Sequence, residues 1–269
     1  KYEKKEKNYE KELDHLVKGH SQFFNSKKEK FTLGIKYCFE NVIEISERAR
    51  VMPESTKNES YEIKPIFIIG VPRCGSTLVE KIIGSGEANI PLGEETQVLE
   101  NYINAKILER QSVELGEVSD VRNNLLEIYK TKGLISKKSK NIFTDKSLNN
   151  FFYLNLIKSI YPKAKIIDCK RDVMSSIMSI FQNNLTELAW AHNLENIFKY
   201  FDNYFKITKD FCKNNPGYVY ELEFEKLSNN PKEESKKLME FCDLPWSTNC
   251  LEYYKRKDLV SKTTSNVQI

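Results

Sequence analysis

Residues 65–86 read PIFIIGVPRCGSTLVEKIIGSG, and three signals follow one another in them. PIFIIGV (65–71) is a short, nearly all-apolar, β-branched run bounded by a Pro and a turn signal, the pattern of a strand buried in a parallel sheet. Gly70-Val71-Pro72-Arg73-Cys74-Gly75-Ser76-Thr77 comes next, and LVEKIIGSG reads as the opening turns of a helix. Strand, glycine loop and helix have the spacing of the nucleotide phosphate loop, in which backbone N–H groups and a helix N-terminus surround an anion. That motif, G-x-x-x-x-G-K-[ST], requires Lys where this chain has Ser76, and a guanidinium, Arg73, stands inside the loop instead. Hydroxyls, amides and one Arg suit a single 5′-phosphate bearing a small transferable group better than a magnesium-bound triphosphate.

Working outward, AKIIDC (164–169) and YVYELEF (218–224) read as further strands, each preceded by a helical stretch. Strands alternating with helices imply right-handed crossovers and an α/β fold, a central parallel sheet flanked by helices in three layers. Helices are predicted at 95–111, 118–131, about 193–214 and 231–242, the last with Asn230 as cap and Pro231 at its first position. Upstream, a Lys/Glu-rich helical stretch and a second helix from Leu33 to about Arg50 lead into a polar linker, MPESTKNESYEIK. The chain therefore divides near residue 60, into an N-terminal helical extension and linker (1–60) and an α/β domain (61–269). The first residue is Lys, and the N-terminal segment reads as a piece of something longer.

Composition narrows the function. With 42 basic and 38 acidic residues among 269, the net charge is +4, far from the footprint of a general nucleic-acid binder. No run approaches the 18 apolar residues of a membrane span, so a soluble, cytoplasmic chain is expected. The six cysteines form no C-x-x-C pair, and neither a zinc site nor a disulfide framework is predicted. Arg is scarce: seven stand at 48, 50, 73, 110, 122, 171 and 256, which leaves 42 − 7 = 35 Lys. One of the seven, Arg171, follows the second strand in CKRDVMSSIMSIF, on the sheet edge that carries the loop. Ser179 lies eight residues on, about two helical turns, so Arg171 and Ser179 offer a seat for a second phosphate.

These residues resemble a family. PIFIIGVPRCGSTLVEKIIGSG resembles the 5′-phosphosulfate loop of sulfotransferases, and CKRDVMSSIMSIF their 3′-phosphate motif. The likeness continues through LGEETQVLENY, DKSLNNFFYLNLIKSIYPKAKII, FEKL, LMEFCDLPW and TTSNVQI, over residues 61–269. The pattern is most similar to tyrosylprotein sulfotransferases and to bacterial sulfotransferases with tetratricopeptide repeats ahead of the catalytic domain, which would make the N-terminal helices the end of such a repeat region or a remnant of it.

The resemblance implies a 3′-phosphoadenosine-5′-phosphosulfate (PAPS) donor, no metal, and transfer of a sulfuryl group to a hydroxyl acceptor: a protein side chain, a glycan or a small molecule. Arg73, Cys74, Gly75, Ser76 and Thr77 would hold the 5′-phosphosulfate, and Arg171 and Ser179 the 3′-phosphate. Phe224 stands where relatives have an adenine-contacting Tyr. Glu95 matches the base, with Glu94 as the alternative; Lys146 matches the lysine that stabilises the leaving phosphate, and Ser265 a serine that assists it. At Gln97 tyrosylprotein enzymes carry an Arg that helps hold acidic peptides, so a different acceptor is expected. His192, where relatives often have Tyr, reads as a residue at a helix start. The competing readings are a nucleotide kinase or NTPase, disfavoured by Ser76 and by the lack of a clear strand-borne acid for magnesium, and a non-catalytic binding module that recruits a partner through the N-terminal helices.

Overall fold

A computed structural model of the chain describes residues 5–53, 63–88, 90–135 and 141–256. It forms two compact units, residues 1–47 with 172–206 and residues 48–171 with 207–269.

Among the described residues the larger unit contains six strands: β1 (Arg50–Met52), β2 (Lys64–Gly70), β3 (Glu114–Glu117), β4 (Ile142–Asp145), β5 (Lys165–Lys170) and β6 (Val219–Glu223). Four of them make one all-parallel sheet in the order β4-β2-β5-β6, flanked by helices, and β1 and β3 pair in a small parallel sheet of their own. The three strands expected from the sequence lie within a residue of their predicted bounds. Central β2 explains its own composition: Ile66, Phe67, Ile68 and Ile69 are buried on both faces, so no polar alternation survives.

Strand β4 is not evident in the sequence. Only two of its four residues, Ile142 and Phe143, are apolar, and Thr144 and Asp145 are fully buried polar groups that break the pattern. Strand β1 falls at the predicted end of the second helix and takes in only the first residue of the polar linker, Met52; Arg50 stands opposite Glu114, and their side chains pair at 2.8 Å. Residues 54–62 of that linker lie outside the described residues. The helices Val98–Arg110, Val118–Thr131 and Pro231–Phe241 occupy their predicted places.

Chain order determines where a site forms. From β2 the chain goes to β4 on one side and then to β5 on the other, so the switch point is the crevice between the carboxyl ends of β2 and β5. Gly70 stands opposite Cys169 there. The loop after β2 and Arg171 after β5 therefore leave the sheet side by side.

The helical unit holds Tyr9–Ser26, Lys28–Lys36, a π-helical turn at Tyr37–Asn41, Val42–Arg48, Val173–Gln182, a 3-10 turn at Ala189–His192 and the first part of Leu194–Asn214. Asn8 caps the first helix by accepting from the Lys11 N–H at 3.3 Å. Phe31, Val42, Ile180, Phe181, Trp190, Ile197 and Tyr200 are buried in the core. His192 ends the 3-10 turn just ahead of the last helix, and its ring is a core group rather than a surface one. It stacks on Phe31 with ring centroids 5.0 Å apart, and its Nδ1 lies 2.9 Å from Nδ1 of the buried His20. His20 Nε2 donates to the Phe181 carbonyl at 2.7 Å, since a carbonyl only accepts. Burial, then the neighbouring His20 and Lys27, take the His192 imidazole down to about 4. Among the described residues no helix is long and apolar enough to cross a membrane.

Candidate active site

The loop after β2 turns sharply. Arg73 has φ 74° and Gly75 φ 94°, and the Cys74 N–H closes the turn on the Val71 carbonyl at 3.2 Å. Helix Ser76–Gly84 starts immediately, with Ser76 and Thr77 buried in its first turn; a helix start presents unbonded N–H groups and the positive end of the helix dipole. Gly75 is required twice. Its φ is left-handed, and a Cβ there would lie 2.4 Å from Cδ2 of Phe224.

Phe224 begins the helix Phe224–Asn229 that follows β6, and its ring lies against the loop. The Arg171 guanidinium sits 5.1 Å from the centroid of the same ring, and Arg171 Nη1 donates to the Arg73 carbonyl at 3.0 Å. Loop, arginine and aromatic ring, read from three separate stretches of sequence, thus meet in one place. Burial and then the charge of Arg171 lower the Arg73 guanidinium from its ordinary value, the mark of two cations held together in a half-buried space. Such a space favours an anion. Asp172, next in the chain, caps the following helix by accepting from the Ser175 N–H at 2.8 Å.

The Cys74 side chain turns inward. A Cβ on Gly70 would come within 2.8 Å of Cys74 Sγ and 3.5 Å of Cys169 Cβ, so both thiols pack around that glycine. Cys169 donates to Cys74, as does the Ser76 N–H; this lowers the Cys74 thiol and holds the buried Cys169 well above the usual thiol range. The sulfur anchors the loop to β5.

A second cluster is assembled at the end of β4. The segment 91–97 runs along 144–147, tied by Thr144 N–H to the Pro91 carbonyl (3.1 Å), Gly93 N–H to Thr144 Oγ1 (3.0 Å), Lys146 N–H to the Glu94 carbonyl (2.8 Å) and Gln97 N–H to Ser147 Oγ (2.8 Å). A Cβ on Gly93 would fall 2.1 Å from the Thr144 carbonyl oxygen, so only glycine allows this approach. The consequence is that Lys146 Nζ meets Glu95 Oε1 at 3.0 Å. The Glu95 carboxylate thus pairs with this lysine, while Glu94 has φ 51° and its backbone N–H and carbonyl are both engaged.

Sequence reasoning missed two acids here. Asp145, at the end of β4, is a strand-borne acid whose carboxylate is already committed. It accepts from Tyr129 (2.7 Å), Thr96 (2.9 Å), the Ser147 N–H (3.0 Å) and Asn150 (3.3 Å). Glu80, in the helix after the loop, is buried and accepts from the Thr144 hydroxyl at 2.6 Å and the Glu94 N–H at 3.0 Å. Burial raises its carboxyl above the usual range, against the charge of Lys146 and these hydrogen bonds. The available signal was an acid directly after the apolar pair Leu78-Val79 and two residues before Ile82-Ile83. Ser179 lies in the helical unit on Val173–Gln182, where its carbonyl accepts from Asn183 Nδ2 at 2.7 Å. Ser265 lies outside the described residues.

Comparison with known proteins identifies the family and the fold. The profile of the sulfotransferase family matches residues 65–248. An uncharacterized protein of Aquifex aeolicus is 31% identical over 219 residues, spanning 77% of this chain and 29% of that protein. Protein-tyrosine sulfotransferase A of Caenorhabditis elegans is 26% identical over 221 residues, 76% of this chain and 56% of that protein. The chain thus spans only part of the length of these relatives. Its fold is that of the sulfotransferase domain from the Curacin biosynthetic pathway (TM-score 0.55, 16% identity, 78% of this chain and 84% of that one) and of the domain from the Synechococcus PCC 7002 olefin synthase (TM-score 0.54, 14% identity, 80% and 86%). With its phosphate loop, its Arg171 and more than half its length matched by one family, this chain belongs to the sulfotransferases.

Proposed function

We propose that the chain catalyses transfer of a sulfuryl group from 3′-phosphoadenosine-5′-phosphosulfate to a hydroxyl, through residues 61–269, with residues 1–60 as a helical extension. The observation that carries this reading is the Lys146–Glu95 pair on the same unit as a phosphate loop flanked by two guanidiniums. Bound, the donor supplies an activated sulfuryl group with a phosphate as leaving group. The residues present suit such an anion: the loop carries the Arg73 guanidinium, the start of helix Ser76–Gly84 follows it directly, and Arg171 bonds to its backbone.

In this reading Arg73, Cys74, Gly75, Ser76 and Thr77 hold the 5′-phosphosulfate, Arg171 the 3′-phosphate, and Phe224 packs against the adenine. Glu95, whose side chain is 47% exposed, is open to an acceptor hydroxyl and takes its proton. Lys146 balances the charge gathering on the leaving oxygen, and Ser265 assists. Protein tyrosine, the acceptor in the names of several relatives, is one hydroxyl of the right class. Gln97 supplies no cation for an acidic peptide, which favours a neutral protein side chain, a glycan or a small alcohol.

Calorimetry separates the readings. Adenosine 3′,5′-bisphosphate is expected to bind without magnesium, more tightly than magnesium-ATP, and labelled donor to pass its sulfur to a hydroxyl acceptor. Magnesium-dependent ATP binding with no bisphosphate affinity would overturn the proposal in favour of kinase chemistry, and binding of neither would favour a partner-recruiting module.

A further inference from the structure

We propose that Asp145 is a positioning residue: its carboxylate fastens the backbone that carries Glu95 to the backbone that carries Lys146, and so sets the geometry of that pair. This deepens the function proposed above and rests on the roles read there for Glu95 and Lys146. The two carboxylate oxygens hold different parts of the site. Oδ1 accepts from the Ser147 N–H at 3.0 Å, which closes an Asx turn around Lys146, and from Asn150 Nδ2 at 3.3 Å. Oδ2 accepts from the Thr96 hydroxyl at 2.9 Å and from the Tyr129 hydroxyl at 2.7 Å. The residue after the acid and the residue after the lysine therefore meet on one carboxylate, which is fully buried. Tyr129, on helix Val118–Thr131, and Asn150, in the 3-10 turn Leu148–Tyr153, hold that carboxylate in its turn.

The turn that carries Glu95 needs such a hold. Glu94 and Gln97 have φ 51° and 52°, left-handed backbone that residues with a Cβ adopt at a cost and keep only where their surroundings impose it. The Lys146 N–H fixes one end of the turn through the Glu94 carbonyl, and Ser147 Oγ fixes the other through the Gln97 N–H. Asp145 takes the middle, at Thr96. A carboxylate suits this place because it accepts on both sides. An amide there has one oxygen, which must stay on the Ser147 N–H, and would turn its NH2 towards the hydroxyls of Thr96 and Tyr129. Position matters because a general base works within about 2.6–3.2 Å of the proton it takes, and a misplacement of about 1 Å can cost on the order of 10²-fold in rate.

The test compares kcat, on a hydroxyl acceptor found with sulfur-labelled donor, and adenosine 3′,5′-bisphosphate affinity in Thr96→Val, Thr96→Ser and Asp145→Asn. Thr96→Val removes the hydroxyl at nearly constant volume; kcat is expected to fall about ten-fold or more with bisphosphate affinity within about two-fold of wild type. Thr96→Ser keeps the donor and should stay within about three-fold of wild-type kcat. Added to Glu95→Gln, Thr96→Val is expected to change kcat less than about two-fold, since the group it positions is gone. An equal loss in both backgrounds would make the role merely structural and overturn the proposal. Thr96 Oγ1 also accepts from the Val98 N–H at 3.4 Å. Asp145→Asn leaves that contact in place and is expected to lower kcat about five-fold or more, as charge-assisted bonds become neutral ones; unchanged kcat would overturn the proposal. Without any ligand, the carboxyl carbon resonance of Glu95 is expected to move in Thr96→Val in the same sense as in Lys146→Met. An unmoved resonance would overturn the proposal whether or not Asp145→Asn folds. Turnover kept by Thr96→Val but lost by Glu95→Gln would remove the role of Asp145 alone, and turnover kept by Glu95→Gln would contradict the reading beneath it.

Discussion

Lys146 Nζ lies 3.0 Å from Glu95 Oε1, with the lysine side chain wholly buried and the carboxylate half exposed. An exposed ion pair of this length contributes little to stability, about 0–1 kcal/mol, and would need no special explanation. Burying one partner changes the argument. Lys146 is held from behind by β4 and by the bond from its own N–H to the Glu94 carbonyl, so the solvent-facing member is the acid. That asymmetry suits a base that meets its acceptor from outside while the cation stays with the leaving group.

Arg171 is the first test of the phosphate site. Its guanidinium bonds to the Arg73 carbonyl and lies against the Phe224 ring, so replacement affects both the ligand and the loop. Arg171→Ala is expected to weaken adenosine 3′,5′-bisphosphate binding by about 2–4 kcal/mol, as for loss of a forked, charged hydrogen bond. Arg171→Lys keeps the charge and loses the fork, and should lie between the two in titration calorimetry. Wild-type affinity in a folded Arg171→Ala protein would remove this residue from the site.

Gly75 tests the close packing of the loop. Gly75→Ala adds a Cβ at 2.4 Å from the Phe224 ring on a backbone with φ 94°, where a side chain costs roughly 1–2 kcal/mol even without the clash. A lower thermal midpoint and weaker bisphosphate binding are expected. Adding Phe224→Ala should recover part of the stability, because it removes the clash and leaves the backbone strain. No recovery would mean that ring and loop are not in contact in solution.

His192 predicts a pH dependence of stability. Its folded imidazole is lowered to about 4, against 6.5 for the ordinary group, so between these values the unfolded chain binds a proton that the folded one does not. This contribution is complete above pH 6.5 and drains away as the pH falls towards 4, with a slope no steeper than about 1.4 kcal/mol per pH unit. Denaturant midpoints at pH 7.5, 6 and 5 should fall in the wild type and fall less in His192→Phe. Equal slopes in the two proteins would show that the ring is not buried neutral.

The parts of this site that sequence could reveal are those with local signatures. PIFIIG is apolar throughout because β2 is central, and the glycines at 70 and 75 mark backbone that no side chain tolerates. Arg171 stood out because Arg is rare in so Lys-rich a chain. Strand β4 was hidden because Thr144 and Asp145 are polar yet buried, and their reasons for burial are distant: Glu80 for one, Tyr129, Thr96 and Asn150 for the other. Glu80 was hidden for the same reason, as one acid on a charged chain until its partners are seen. His192 read as a helix start from its position alone, and only its packing against His20 and Phe31 makes it part of a core.

Turnover by Glu95→Gln tests the central claim most directly. Glutamine keeps the shape and a hydrogen-bonding oxygen towards Lys146 and cannot accept the acceptor proton. With a hydroxyl acceptor identified by screening with sulfur-labelled donor, kcat is expected to fall roughly 10²- to 10⁴-fold, while adenosine 3′,5′-bisphosphate affinity stays within about two-fold of wild type. Full turnover by Glu95→Gln on that acceptor would contradict the account.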